Sequence, residues 1–198
     1  MSRRPLGYLY AIGETLVLTV IIFLVLQTFV ARPYCVQQDS MEHTLEPDQC
    51  VLIDELTPHF GSYTRGDIVV FNPPPGSAPQ NDGIPYIKRI IGVGGDTVAI
   101  RGGAVYVNGA QLTEPYLYSQ DGRPGPTEPQ GIDHWLVPTG QLFVMGDHRA
   151  VSADSRAFGT VSASSVIGRA WLRYLPLGTF GIVGNPGHPE LASPSPSP

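Results

Sequence analysis

The residues of this 198-residue chain best suited to covalent chemistry are Ser40, in QQDSMEHTL, and Lys88, in YIKRIIG. A serine hydroxyl is a weak nucleophile until a base takes its proton. His43 and His148 are the obvious histidine bases, since the members of a Ser-His-Asp triad meet only in space. His43, three residues past Ser40, sits in an extended or turn segment and is poorly placed to swing back. No G-x-S-x-G surrounds any serine, so the nucleophile elbow of the α/β-hydrolases is absent. Lysine is the other base, and Lys88 is the single lysine of the chain. Side chains alternate along a strand, so Tyr86, Lys88 and Ile90 share one face while Ile87, Arg89 and Ile91 share the other. An ammonium buried on such a strand is costly, and a lowered pKa relieves the cost. A lysine neutral near pH 7 is a competent general base. A Lys88 that snorkels to water, or pairs with a carboxylate such as Asp82, is not. Both alternatives fit the residues alone.

The elements that must position these groups read as strands. CVLIDEL (50–56), DIVVFN (67–72), YIKRIIG (86–92), DTVAI (96–100), AVYV (104–107), QLFVM (141–145) and VIGRAWLRYL (166–175) are short β-branched or aromatic runs between Gly, Pro, Asn and Asp. RGG before Ala104 and Asn108-Gly109 are turn signals, which predicts a pair of hairpins over 96–112. Residues 72–85 and 121–131 read as extended loops. GVGGDT (92–97) lacks the ending of a phosphate-binding loop and reads as a turn.

The N-terminus is different in kind. After Arg3 and Arg4, residues 15–31 carry no charge over 17 positions, the short end of the roughly 17–25 that span a bilayer. A cleaved signal peptide is disfavoured, because a cut after Ala31 would put Phe29 at −3. Nor is there a lipoprotein-type site, with Arg32, Pro33 and Tyr34 before Cys35. A soluble helix is seldom apolar on every face for this length. The expected fold is therefore mainly β: an all-β ectodomain on a single N-terminal transmembrane helix. Its parts would be a cytoplasmic segment 1–13, an anchor 14–31, an extracytoplasmic β catalytic domain 32–184, and a disordered Pro/Ser tail 185–198. Arg3 and Arg4 lie before the anchor and Arg32 alone lies close behind it, which puts the N-terminus in the cytoplasm and the catalytic domain outside the cell membrane.

Composition narrows the partners. A net charge of −5, with no basic stripe, argues against nucleic acid. The five histidines show no H-E-x-x-H, and two cysteines are too few for a zinc site, so no metal is expected. Cys35 and Cys50 lie beyond the anchor, where disulfides persist; a bridge and a pair of buried thiols both fit.

SMEHTL, RGDIVVF (65–71), YIKRIIGVGGDTV (86–98) and VMGDHRAVSADSR (144–156), in that order, resemble the boxes of bacterial type I signal peptidases. With the anchor, the resemblance covers most of the chain. It implies a membrane-tethered Ser/Lys endopeptidase that removes signal peptides from exported preproteins, usually after Ala-x-Ala, on the outer face of the membrane. It implies Ser40 as nucleophile, Lys88 as general base, and Ser152 as the hydroxyl that orients the lysine amine. Asp154 and Arg156 match a structural ion pair, and Asp147 and Arg149 take structural roles in the same segment. Val36, Gln37, Gln38, Met41, Tyr86 and Ile87 would lie against the substrate, in pockets for small side chains. The oxyanion would be held by the Ser40 N–H, with Gln38 standing where many members have a Ser or Gly. Two other departures are His43, where Pro is frequent, and HRAV at 148–151, where many members have Asn-Arg-Asp-Asn. No cofactor is implied, because the dyad needs only water and a peptide carbonyl; the partners implied are signal peptides and membrane lipid. Two rivals remain: a self-cleaving repressor of the SOS type, which would need a DNA-binding domain in place of the anchor, and a catalytically dead relative that only binds exported chains.

Overall fold

The computed structural model describes residues 4–29, 31–55, 62–77 and 84–191. Arg4–Phe29 forms one helix, α1, of 26 residues, about 39 Å long at 1.5 Å per residue. Pro5 sits in its first turn, where a missing N–H leaves no helical bond unmade. The helix runs unbroken through Glu14, so the boundary expected there does not divide the backbone. Thr15 and Thr19 donate their hydroxyls to Ala11 O and Thr15 O, at 2.8 and 2.7 Å, which removes two polar groups from an otherwise apolar surface. Ile12, Leu16, Val17, Leu18, Val20, Ile21, Ile22 and Phe23 are all exposed. Among the described residues, no helix is long and apolar enough to cross a membrane. The side chains of 24–31, the second half of the expected apolar run, lie outside those described.

Past α1 the chain is mainly β, in chain order β1 Ala31–Cys35, β2 Cys50–Asp54, β3 Ile68–Phe71, β4 Tyr86–Val93, β5 Thr97–Arg101, β6 Ala104–Val107, β7 Ala110–Gln111, β8 Ser119–Gln120, β9 Arg123–Pro124, β10 His134–Leu136, β11 Gln141–Met145, β12 Val161–Ser162, β13 Val166–Leu175 and β14 Gly181–Ile182. The main sheet has the order β1-β2-β13-β3-β4-β11-β12, with β14 added to β13. A smaller sheet has the order β10-β5-β6-β7, and β8 and β9 form a hairpin. The turn expected at Asn108-Gly109 joins β6 to β7 with φ of 52° and 85°, values that suit Asn and Gly and fit the twist of a tight hairpin.

β3 shows why the sheet is rigid under the site. Its four residues are all buried, because both faces are covered. Ile68 and Val70 join one cluster with Val36, Met41, Leu45, Val51, Ile53 and Ile87. Val69 and Phe71 join another with Tyr86, Ile90, Leu142, Val144 and Val166. A third cluster, including Ile91, Val98, Trp135 and Phe143, fills the space against the small sheet.

Three boundaries differ from those expected. β1 begins at Ala31, the last residue of the expected anchor, and is absent from the expected strands; ARPYC carries a charge and a proline, and only an edge position, where Pro33 need not donate on its open side, accommodates it. The 121–131 loop begins instead as the β8–β9 hairpin. Residues 185–191 are not a disordered tail: Asn185 Nδ2 donates to Arg65 O and Asp67 Oδ1, each at 3.0 Å, and Glu190 Oε1 accepts from Thr113 N–H at 2.7 Å. Residues 192–198, and Asp82 within 78–83, lie outside the described residues.

Candidate active site

Ser40 rides on a one-turn 3-10 helix, Asp39–Met41, between β1 and β2. Both ends of this connection are held. Val36 N–H donates to Gln49 O at 2.8 Å and Asp48 N–H to Val36 O at 2.9 Å. Cys35 and Cys50, opposite each other at the end of the β1–β2 ladder, are joined as a disulfide with Cα atoms 4.0 Å apart. Met41 and Leu45, with no exposed surface, seat the turn on the core.

Lys88 comes from β4, paired with Val69 of β3. Its Nζ donates to Ser40 Oγ at 2.6 Å and to Ile87 O at 3.1 Å. It also lies 5.1 Å from the centre of the Tyr86 ring, on the face that alternation assigns to both. Lys88 is 1% exposed and Ser40 3%. Burial pushes the ammonium down from 10.5 to about 8, against the opposing pull of Asp154 and Asp147. This is an amine able to lose its charge near neutral pH, in contact with the Ser40 hydroxyl. The surrounding carboxylates keep it from falling further.

Behind the pair the segment after β11 is braced by buried ion pairs. Arg89, next to Lys88 but on the opposite face of β4, grips Asp147 with Nε to Oδ1 at 2.8 Å and Nη2 to Oδ2 at 2.6 Å. Its Nη1 donates to Gly66 O at 2.9 Å, and its guanidinium lies 3.9 Å from the centre of the Tyr116 ring. Thr44 Oγ1 donates to Asp147 Oδ2 at 2.6 Å, tying the turn after Ser40 to the same carboxylate. Asp154 caps a short helix, α2 (Ser155–Phe158), and pairs with Arg156 through Nε–Oδ1 and Nη2–Oδ2, both 2.9 Å. Asp154 Oδ2 also accepts from Gly146 N–H at 3.1 Å. Arg149 pairs with Glu114 and donates to Thr127 Oγ1 at 2.7 Å.

Ser152 is 3% exposed and stands beside Ser40: a Cβ on Gly146 would come within 2.4 Å of both Ser152 Oγ and Ser40 O. Only glycine fits at 146. The Ser152 hydroxyl has no hydrogen-bond partner among the described residues, so the contact with the lysine amine expected of it is not made here. Lys88 Nζ is turned instead to Ser40 and Ile87 O. Of the expected substrate contacts, Gln37 and Gln38 are exposed, whereas Val36, Met41 and Ile87 are core residues and Tyr86 is 5% exposed. Met41 offers substrate no surface, because its flexible thioether is fully buried in the core cluster that includes Leu45 and Val51. His43 has φ 83°, a left-handed turn conformation closed to proline, and is exposed, with its main-chain N–H on Glu46 Oε1 at 3.2 Å.

Arg89 and Thr44 hold Asp147 although the residue types alone assign them no part. An arginine beside Lys88 on an apolar strand was a signal for the first, since a buried guanidinium must find a carboxylate.

The sequence model of the family described as "Signal peptidase, peptidase S26" matches residues 9–175. A signal peptidase I of Leptolyngbya laminosa is 36% identical over 176 residues, 87% of this chain and 83% of that protein. Signal peptidase I S of Bacillus subtilis (strain 168) is 34% identical over 83% of this chain and 88% of its own. A solved signal peptidase I from Enterococcus faecalis V583 is 33% identical, covers 55% of this chain and 96% of its own, and superposes with a TM-score of 0.41. The chain belongs to the signal peptidase family, peptidase S26, and with it to the serine endopeptidases.

Proposed function

We propose that this protein is a membrane-anchored signal peptidase that removes N-terminal signal peptides from exported preproteins after Ala-x-Ala-type sites. The observation that carries the reading is the buried 2.6 Å contact between Lys88 Nζ and Ser40 Oγ in a chain of this family. With Lys88 neutral, its lone pair accepts the Ser40 proton as Oγ attacks the scissile carbonyl. The resulting oxyanion is held by the Ser40 main-chain N–H, with the exposed Gln38 amide as a second donor. The Lys88 ammonium then protonates the leaving amine, and the mature chain departs. Lys88 next takes a proton from water as the water oxygen attacks the acyl-enzyme ester; the ammonium returns that proton to the departing Ser40 Oγ, and the signal peptide leaves as a carboxylic acid that ionises to the carboxylate. Ser152 acts as the orienting hydroxyl once the Ser40 proton has moved, a role supported by its position beside Ser40. The substrate backbone pairs with the strands flanking the site by β-augmentation.

The anchor is α1, supported by its 26 helical residues and by the uncharged run at 15–31. Arg3 and Arg4 keep its N-terminus in the cytoplasm and the β domain outside. The deciding experiment is cleavage of a preprotein with an Ala-x-Ala site, in detergent, by wild type and by Ser40→Ala. Wild type alone should cut, after the second Ala. A cut made by both would remove Ser40 as nucleophile, and binding without any cut would make the protein a receptor for exported chains.

A further inference from the structure

One residue joins the turn that carries Ser40 to the segment that follows β11, and it does so twice. The His148 main-chain N–H donates to Ser40 O at 3.1 Å. The His148 imidazole meets Glu42 through Nδ1 and Oε2, 2.7 Å apart. Glu42 in turn closes the nucleophile's 3-10 turn, its N–H donating to Asp39 O at 3.0 Å. The imidazole face is covered by Tyr118, stacked with ring centres 3.8 Å apart and planes 18° from parallel. Tyr118 is itself tied down, its N–H donating to Asp147 O at 3.1 Å. The ring is thus fixed edge-on by a carboxylate and face-on by an aromatic, both anchored.

A single 3-10 turn has poor hydrogen-bond geometry of its own and depends on its surroundings to hold shape. We propose that His148, acting through Glu42 and the Ser40 carbonyl, is a positioning residue that keeps the nucleophile's turn in register with Lys88. It is not the base: its Nδ1 faces Glu42, while Ser40 Oγ is taken by Lys88. The inference rests on Ser40 being the nucleophile. It gives a purpose to His148, where the resemblance led one to look for asparagine. Asparagine carries Nδ2 at the same number of bonds from the backbone as imidazole Nδ1, so it can make the same bond to Glu42 but cannot stack as well on Tyr118.

The test uses the full chain in detergent as wild type, His148→Ala, His148→Asn, Glu42→Ala and the double alanine variant. Two reactions are followed: cleavage of an Ala-x-Ala preprotein, and acylation of Ser40 by p-nitrophenyl acetate, read by mass. Each single alanine variant should lower kcat about 10- to 100-fold, the range that a misplaced nucleophile produces. KM should stay within about twofold, and the thermal midpoint close to that of wild type, because misplacement acts on the reacting geometry. The double variant should be no worse than the worse single one, since both break the same link. His148→Asn should recover most of the rate. Unchanged kcat in the alanine variants, additive losses, or a loss that asparagine does not rescue and that follows the thermal midpoint would overturn the proposal. A wild type that is acylated at Ser40 but leaves the preprotein whole would refute the signal-peptidase reading alone, and acylation rates would still decide the role of His148. A wild type in which Ser40 takes no acyl group in either reaction overturns both.

Discussion

At 1% exposure, the Lys88 amine has exchanged water for one hydroxyl and one carbonyl. The exchange favours the neutral amine, and this has a sign for both activity and stability. Below about pH 8 Lys88 is cationic and cannot accept the Ser40 proton; above it the amine is free. Cleavage should therefore rise tenfold per pH unit below the midpoint at about 8 and level off to a plateau above it, and a profile flat from pH 6 to 9 would remove Lys88 as the base. The stability consequence runs the same way. The unfolded chain holds the proton up to about 10.5, so below pH 8 folding bears the whole penalty of the buried charge. A depression from 10.5 to about 8 corresponds to about 3 kcal/mol as an upper figure. Lys88→Met should thus be more stable than wild type at pH 7 by up to that amount, and the advantage should fade as pH rises from 8 to 10.5. Urea unfolding of the two at pH 7 and pH 10 checks it; equal stability at pH 7 would mean the native charge is already compensated.

At the scale of elements, the strands were legible because β-branched runs between Gly, Pro and Asn allow little else, and the edges of β3, β4, β11 and β13 fall within a residue or two of their expected places. β1 was not, because Pro33 and Arg32 argue against a strand until its edge position is known. In the candidate site, residue type and resemblance single out Ser40 and Lys88, which the structure brings into contact, whereas nothing local points to the Arg89–Asp147 grip: it depends on β11 lying beside β4 with Met145 opposite Arg89, a register no local pattern carries. The disulfide could be read only as one of two alternatives, since its formation depends on Cys35 and Cys50 facing each other across the β1–β2 ladder. That bridge closes the segment bearing Ser40 over a separation of 15 residues, a loop for which chain entropy gives about 3 kcal/mol. Replacing both cysteines with serine should lower unfolding stability by about that amount and lower kcat by loosening the turn that carries Ser40. An unchanged urea midpoint would assign the closure to the Val36–Gln49 and Asp48–Val36 hydrogen bonds alone.

For the whole molecule, the decisive dimension is the distance from helix to Ser40. α1 ends at Phe29 and Ser40 follows after β1, so even a fully extended chain could not carry the hydroxyl more than about 40 Å from the helix end. Part of that span is fixed as β1, locked to β2, so the reach is shorter and its direction is set by the sheet. With α1 as the proposed anchor, an enzyme tethered this closely would meet a substrate held in the same bilayer as an intramolecular partner does, at an effective concentration that reaches the millimolar range for short tethers. A free peptide with the same Ala-x-Ala sequence gains nothing from the tether. In proteoliposomes, a preprotein co-reconstituted with the enzyme should therefore be cut at least ten times faster than the same preprotein in separate vesicles, while a soluble peptide should be cut equally in both preparations. Equal rates for the preprotein would show that α1 serves only to retain the protein, and that recognition lies wholly in the β domain.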